Sequence, residues 1–89
     1  MPTHPQDRPA DQPFARSFTE TYRGHKLRVA KGTEWGRLHV WVNGWDGGQP
    51  YGRTNGDAAR ELRSLRSTVD DAYERPDNYR NGLGEYAFA

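Results

Sequence analysis

The chain reads as an α+β domain, an antiparallel β-meander of three to four strands packed on one amphipathic α-helix that follows it. Three observations carry this reading. Apolar and polar residues alternate from His25 to Ala30 and again from Gly36 to Asn43, the period of a strand with one buried face. Arg23-Gly24 and Asn43-Gly44, the latter followed by Asp46-Gly47-Gly48, bracket these stretches with residues that tolerate positive φ, the chemistry of turns. After Thr54 the period changes: Ala58, Leu62, Leu65, Val69 and Ala72/Tyr73 recur at spacings of three and four, which is one stripe along a helix.

The elements follow in order. Residues 1–16 hold Pro2, Pro5, Pro9 and Pro13 and few apolar groups, so they are expected to form a flexible, extended arm. Ser17 to Tyr22 is a short first strand, with Phe18, Glu20 and Tyr22 on one face and Thr19 and Thr21 on the other. In the second strand Leu27 and Val29 oppose Lys26, Arg28 and Ala30. In the third, Leu38, Val40 and Val42 oppose Arg37, His39, Trp41 and Asn43. A last strand is expected at about Gln49 to Arg53, its facing left open by Pro50 and Gly52. The helix should begin with a capping box, Thr54 as N-cap and Asp57 at N3, and should stop at Arg75, because the residue before Pro76 is pushed out of the α region. The domain proper is thus 17–75. The tail, 76–89, contains Tyr79, Leu83, Tyr86 and Phe88, enough apolar bulk to fold back on the domain.

Composition narrows the function. Eighty-nine residues make one domain, and 33% hydrophobic residues restrict it to a compact core. A net charge of +1 gives no global attraction to polyanions. The absence of cysteine excludes disulfides, thiolate zinc sites and thiol nucleophiles, and fits a reducing cytoplasmic location. No apolar run is long enough to span a membrane, and the first residues lack the features of a signal peptide.

The charge is unevenly placed. From Ser17 to Asn55 six cations stand against three acids; from Gly56 to Arg75 four arginines stand against five. The strand faces turned away from the helix carry Lys26, Arg28, Arg37, His39 and Trp41, with Tyr51 and Arg53 on the adjoining stretch. Cations interleaved with aromatics suit phosphate and base contacts, and a β-ribbon fits the major groove. Trp41 on the open side of a small sheet requires a cover, either a ligand or the chain's own Phe14, Phe18 or C-terminal aromatics. Trp35 and Trp45, at the two ends of the third strand, either staple the core edges or, with Trp41 and Tyr51, meet a protein partner.

A meander rich in Lys, Arg and aromatics, then the helix start Thr54-Asn55-Gly56-Asp57-Ala58-Ala59, resembles the sheet-plus-helix DNA-binding modules. These are the AP2-like domains and the N-terminal arm-binding domains of phage and transposon integrases. The resemblance covers His25 to Tyr73 and implies a sheet lying in the major groove of double-stranded DNA with the helix behind it. The contacts it implies are Lys26, Arg28, Arg37, His39, Trp41 and Arg53. The Arg-, Asp- and Gly-rich style is also similar to that of small proteins of actinobacteria, their phages and mobile elements.

Catalysis finds little support. His4, His25 and His39 have no metal-ligand spacing, and Ser17, Ser64 and Ser67 have no evident base. Gly44 to Gly48 lacks the Lys-Ser/Thr of a phosphate loop. Asp70, Asp71 and Glu74 read as solvated acids near a helix end. The expectation is a non-catalytic binding module without metal or cofactor, its partner either double-stranded DNA or a protein.

Overall fold

The computed structural model describes residues 4–75. Four strands, β1 (Phe18–Tyr22), β2 (His25–Lys31), β3 (Leu38–Val42) and β4 (Trp45–Asp46), form one antiparallel sheet in chain order, and α1 (Asn55–Glu74) follows. Arg23-Gly24 and Asn43-Gly44 close two hairpins, with φ of 51° and 83° in the first and 51° and 85° in the second. Positive φ at both positions matches the twist of the flanking strands. The Asn43 carboxamide oxygen also accepts from the Lys26 backbone N–H, 2.9 Å away.

The register sets the faces. Leu27 pairs with Val42 and Val29 with Val40, so the alternation of β2 and β3 sums to one apolar surface. Leu27, Val29, Leu38, Val40 and Val42 share a core with Ala58, Leu62, Leu65 and Val69 of α1. Each fully buried Leu or Val contributes roughly 1.5–3 kcal/mol. Glu20 faces α1 from β1 and takes Arg66 through two hydrogen bonds of 2.9 and 2.7 Å, which raises the guanidinium's affinity for its proton. The helix begins as its sequence predicts: Thr54 Oγ1 accepts from the Asp57 N–H, and Asp57 Oδ2 accepts from the Thr54 and Arg53 N–H groups. Those two backbone donors hold the Asp57 carboxyl below the usual carboxylate range.

Two expectations are corrected. Proline content predicts a flexible arm over residues 1–16, but residues 4–16 pack along the first turns of α1. Pro5–Asp7 form a 3-10 turn with Pro5 buried, and Phe14, 6% exposed, enters the core. The reason lies in the open N-terminus of a helix, whose first N–H groups have no intrahelical acceptor. The Asn55 N–H donates to Gln12 O at 2.9 Å, the Gly56 N–H to Ala10 O at 3.1 Å, and Asn55 Nδ2 to Pro9 O at 3.0 Å. Proline lacks a donor but keeps its carbonyl, so a Pro-rich segment can still satisfy these groups.

The last strand is also displaced. β4 is Trp45–Asp46, directly after the Asn43-Gly44 turn, and not Gln49 to Arg53. A bulge at Gly47-Gly48 then shifts the pairing by one residue: the Gly47 N–H donates to Val40 O, and the Val40 N–H donates to Gly48 O. Gly48 takes the positive φ of 98° that favours glycine, and a Cβ on Gly47 would lie 3.1 Å from Val40 Cγ2, so that Val40 would have to shift by a few tenths of an ångström. Beyond it the chain still follows β3, with Leu38 N–H donating to Pro50 O and an isolated bridge between Arg37 and Tyr51. Pro50 and Gly52 keep this stretch from forming a regular ladder. The tail with Tyr79, Leu83, Tyr86 and Phe88, expected to fold back, lies outside the described residues. No helix among the described residues is long and apolar enough to cross a membrane.

Phe14→Ala is expected to lower the unfolding free energy in urea by about 3 kcal/mol, as for a core phenylalanine. A change under about 0.5 kcal/mol would mean that the segment is a free arm after all. Asp57→Asn should cost about 1 kcal/mol at pH 7 through the loss of the charged cap. The Asp57 pKa is lowered by folding, so its contribution is full above about pH 4 and is lost as the pH falls through the folded-state value. Urea titrations of both proteins should therefore converge at low pH.

Candidate functional site

The face of the sheet away from α1 has no second layer among the described residues. It is built by the alternate positions of each strand: Thr19 and Thr21 of β1, Lys26 and Arg28 of β2, His39 and Trp41 of β3, and Asp46 of β4. Arg37 and its bridge partner Tyr51 extend it past the start of β3. Five of the six residues predicted for nucleic acid thus share this surface. The sixth, Arg53, stands beside it at the sheet end nearest the helix start, where the Gly52 N–H donates to Gly36 O.

The cations and aromatics of this surface are paired with each other. The Arg28 guanidinium lies 4.5 Å from the centroid of the Trp41 ring, directly across the β2–β3 pairing. The His39 ring stacks on the same indole at 4.0 Å with 19° between the planes. Arg37 lies 3.7 Å over Tyr51 and donates to Gln49 O at 2.9 Å. Arg53 lies 4.3 Å over Trp35. Such stacking fixes a guanidinium plane without consuming its charge. Arg28 and His39 thus flank Trp41, and neither phenylalanine expected as a cover does so: Phe14 is buried in the core and Phe18 packs on the core side, while the C-terminal aromatics lie outside the described residues.

The charge pattern divides the molecule. Arg23, Arg60, Arg66 and Arg75 each hold a carboxylate: Asp70, Asp57 with Glu61, Glu20 and Asp71 respectively. Among the described residues Lys26, Arg28, Arg37 and Arg53 form no ion pair, and neither do Arg8, Arg16, Lys31 and Arg63; Arg28, Arg37 and Arg53 differ from these in being stacked on a ring. One acid on the outer face is absent from the residues that the sequence singles out. Asp46 sits opposite Trp41, its Oδ1 2.9 Å from His39 Nε2, though out of line for a hydrogen bond to that nitrogen. The Gly48 N–H, then His39, hold the Asp46 carboxyl below its usual range, so it is an anion at the β4 edge. The hairpin turn places Asp46 there, and Asn43-Gly44 followed two residues later by Asp was the available signal.

The tryptophans are not brought together. Trp45 pairs with Val42 and so sits on the helix side of the sheet edge, 47% exposed. Trp41 is on the opposite face. Trp35, 84% exposed, lies beyond the other end of β3, in the turn that the Arg37 N–H closes by donating to Glu34 O. Trp35, Gly36, Tyr51, Gly52, Arg53, Asp57 and Arg60 line an open depression at that end.

Two of the three acids at the helix end, Asp70 and Asp71, are occupied. Asp70 accepts from Tyr22 Oη at 2.9 Å and from Arg23 at 3.0 Å, the first of which raises the Tyr22 pKa, and Asp71 pairs with Arg75. His25 Nε2 meets Tyr73 Oη at 2.8 Å, and its Nδ1 meets Asn43 Nδ2 at 2.9 Å. These contacts tie both hairpin turns to α1. Among the described residues no three His, Asp or Glu side chains converge as metal ligands would. Compared with protein-family models, with curated proteins and with solved structures, the chain matches none.

Trp41→Ala is expected to cost about 1–2 kcal/mol in urea unfolding, the worth of stacking and cross-strand contact on an outer face. A loss of about 3–5 kcal/mol would place the indole in the core instead.

Proposed function

We propose that the protein is a non-catalytic binding module that takes nucleic acid on the outer face of its sheet. The observation that carries this reading is that Lys26, Arg28, Arg37 and Arg53, grouped on and beside one sheet face, have no carboxylate partner among the described residues. Three of them are held on aromatic rings, while other arginines of the chain are neutralised in place. Phosphates are the complementary charge, and fixed guanidinium planes contact them with little ordering cost. Asp46 confines the favourable path to β2 and the start of β3. The expected resemblance to AP2-like and integrase arm-binding modules is consistent with this use of the sheet and belongs to the same proposal. A protein interface on Trp35, Trp41, Trp45 and Tyr51 would have to draw on two surfaces, because Trp45 lies on the helix side of the sheet while Trp41 and Tyr51 lie on its outer face.

The test is fluorescence anisotropy with a labelled mixed-sequence duplex at low and moderate salt. Binding should weaken steeply with salt. Arg28→Ala with Arg37→Ala should reduce the slope of log K against log salt by about 2, because two phosphates are no longer neutralised. Binding that ignores salt, or no binding at low salt by either the duplex or its single strand, would reject the reading and favour a protein partner.

A further inference from the structure

The Gly47-Gly48 bulge does more than end β4. By slipping the pairing one residue, it sets Tyr51 opposite Arg37, and it leaves Arg53 next to Trp35 across the Gly36–Gly52 contact. The result is a short ladder of arginine–aromatic pairs that continues the outer face toward the sheet end. In contrast to Trp41, which is half-buried between neighbours, Trp35 is 84% and Tyr51 73% exposed. Each has one guanidinium over its ring, 4.3 and 3.7 Å from the centroid, and is otherwise open to water.

Open ring faces beside unpaired cations distinguish between forms of nucleic acid. In a duplex the base faces are stacked on one another, and only their edges reach a protein through the grooves. Trp35 and Tyr51 would then have nothing to stack on. In a single strand the base faces are free, and each base that stacks on an aromatic side chain gains affinity without regard to sequence. Arg37 and Arg53 stand where the phosphates between such bases would pass.

We infer that the preferred ligand of this surface is single-stranded nucleic acid, with bases stacked on Trp35 and Tyr51 and the backbone led toward Arg28 and Lys26. The inference rests on the nucleic-acid reading above and narrows it. The expected major-groove docking gives way to a strand laid across the sheet.

The experiment compares one labelled oligonucleotide of about 12 nucleotides as a single strand and as a duplex, at low salt, by anisotropy. The single strand should bind at least about tenfold more tightly. Trp35→Ala with Tyr51→Ala should remove that preference by weakening single-strand binding roughly tenfold or more, while duplex binding changes little. Trp35→Phe, which keeps a ring, should retain most of it. Both positions are exposed, so urea midpoints should be unchanged and serve as the folding control. Equal affinity for the two forms, or a preference that survives the double substitution, overturns this inference and leaves the phosphate-binding surface standing. Failure of both forms to bind at low salt overturns the inference together with the reading it rests on.

Discussion

Leu62 and Val69 of α1 lie fully buried in one core with Leu27, Val29 and Val42 of the sheet, and this contact decides the rest of the molecule. A sheet has two faces, and among the described residues a single long helix is available to cover them. Burial of the apolar positions of β2 and β3 on the helix side forces their alternate residues outward. Those residues are Lys26, Arg28, His39 and Trp41. The basic aromatic face is thus a consequence of a two-residue period under a one-sided core. A register slip of one residue in β2 or β3 would bury the cations and expose the core.

The same packing explains how the N-terminal segment is used. A helix seated on a small sheet presents its first turn at the domain's edge, with donors that its own residues cannot all satisfy. Thr54 and Asp57 satisfy some of them by reciprocal capping, and the carbonyls of Pro9, Ala10 and Gln12 meet the Asn55 and Gly56 groups. Phe14 follows into the core at the point where the chain turns toward β1. At the other end of α1, Asp70 and Tyr73 take Tyr22 and His25, so both ends of the helix are fixed against the sheet by polar contacts. A rigid sheet matters to the proposed function because stacked arginines give selectivity only if their rings hold still.

Within that frame, two groups of arginines are held in different ways. Carboxylates neutralise Arg23, Arg60, Arg66 and Arg75, while the sheet-face arginines lean on aromatic rings. An arginine on a ring keeps its full charge and loses little rotamer freedom on meeting a phosphate, whereas one already paired with a carboxylate would have to give up that partner. The two sets of arginines cannot be told apart by residue type or by net charge, and the small value of +1 hides the distinction. Asp46 marks where the positive surface stops.

By itself the sequence determined the element order, the inward and outward faces of β1, β2 and β3, both hairpin turns and the helix with its capping box. All of these follow from local chemistry: side-chain period, positive-φ tolerance and reciprocal caps act within a few residues. Only the tertiary structure decided where Pro5 to Phe14 lie, because carbonyls of a proline segment find donors on a helix start more than forty residues later. It likewise decided that β4 ends at Asp46 and that a glycine bulge sets Arg37 and Arg53 on Tyr51 and Trp35. Pairing across strands depends on register, and a one-residue slip leaves no mark in composition or period. The sequence therefore named the residues of the surface, while the fold determined which of them are partners, which are open, and that Trp45 lies on the face opposite Trp41.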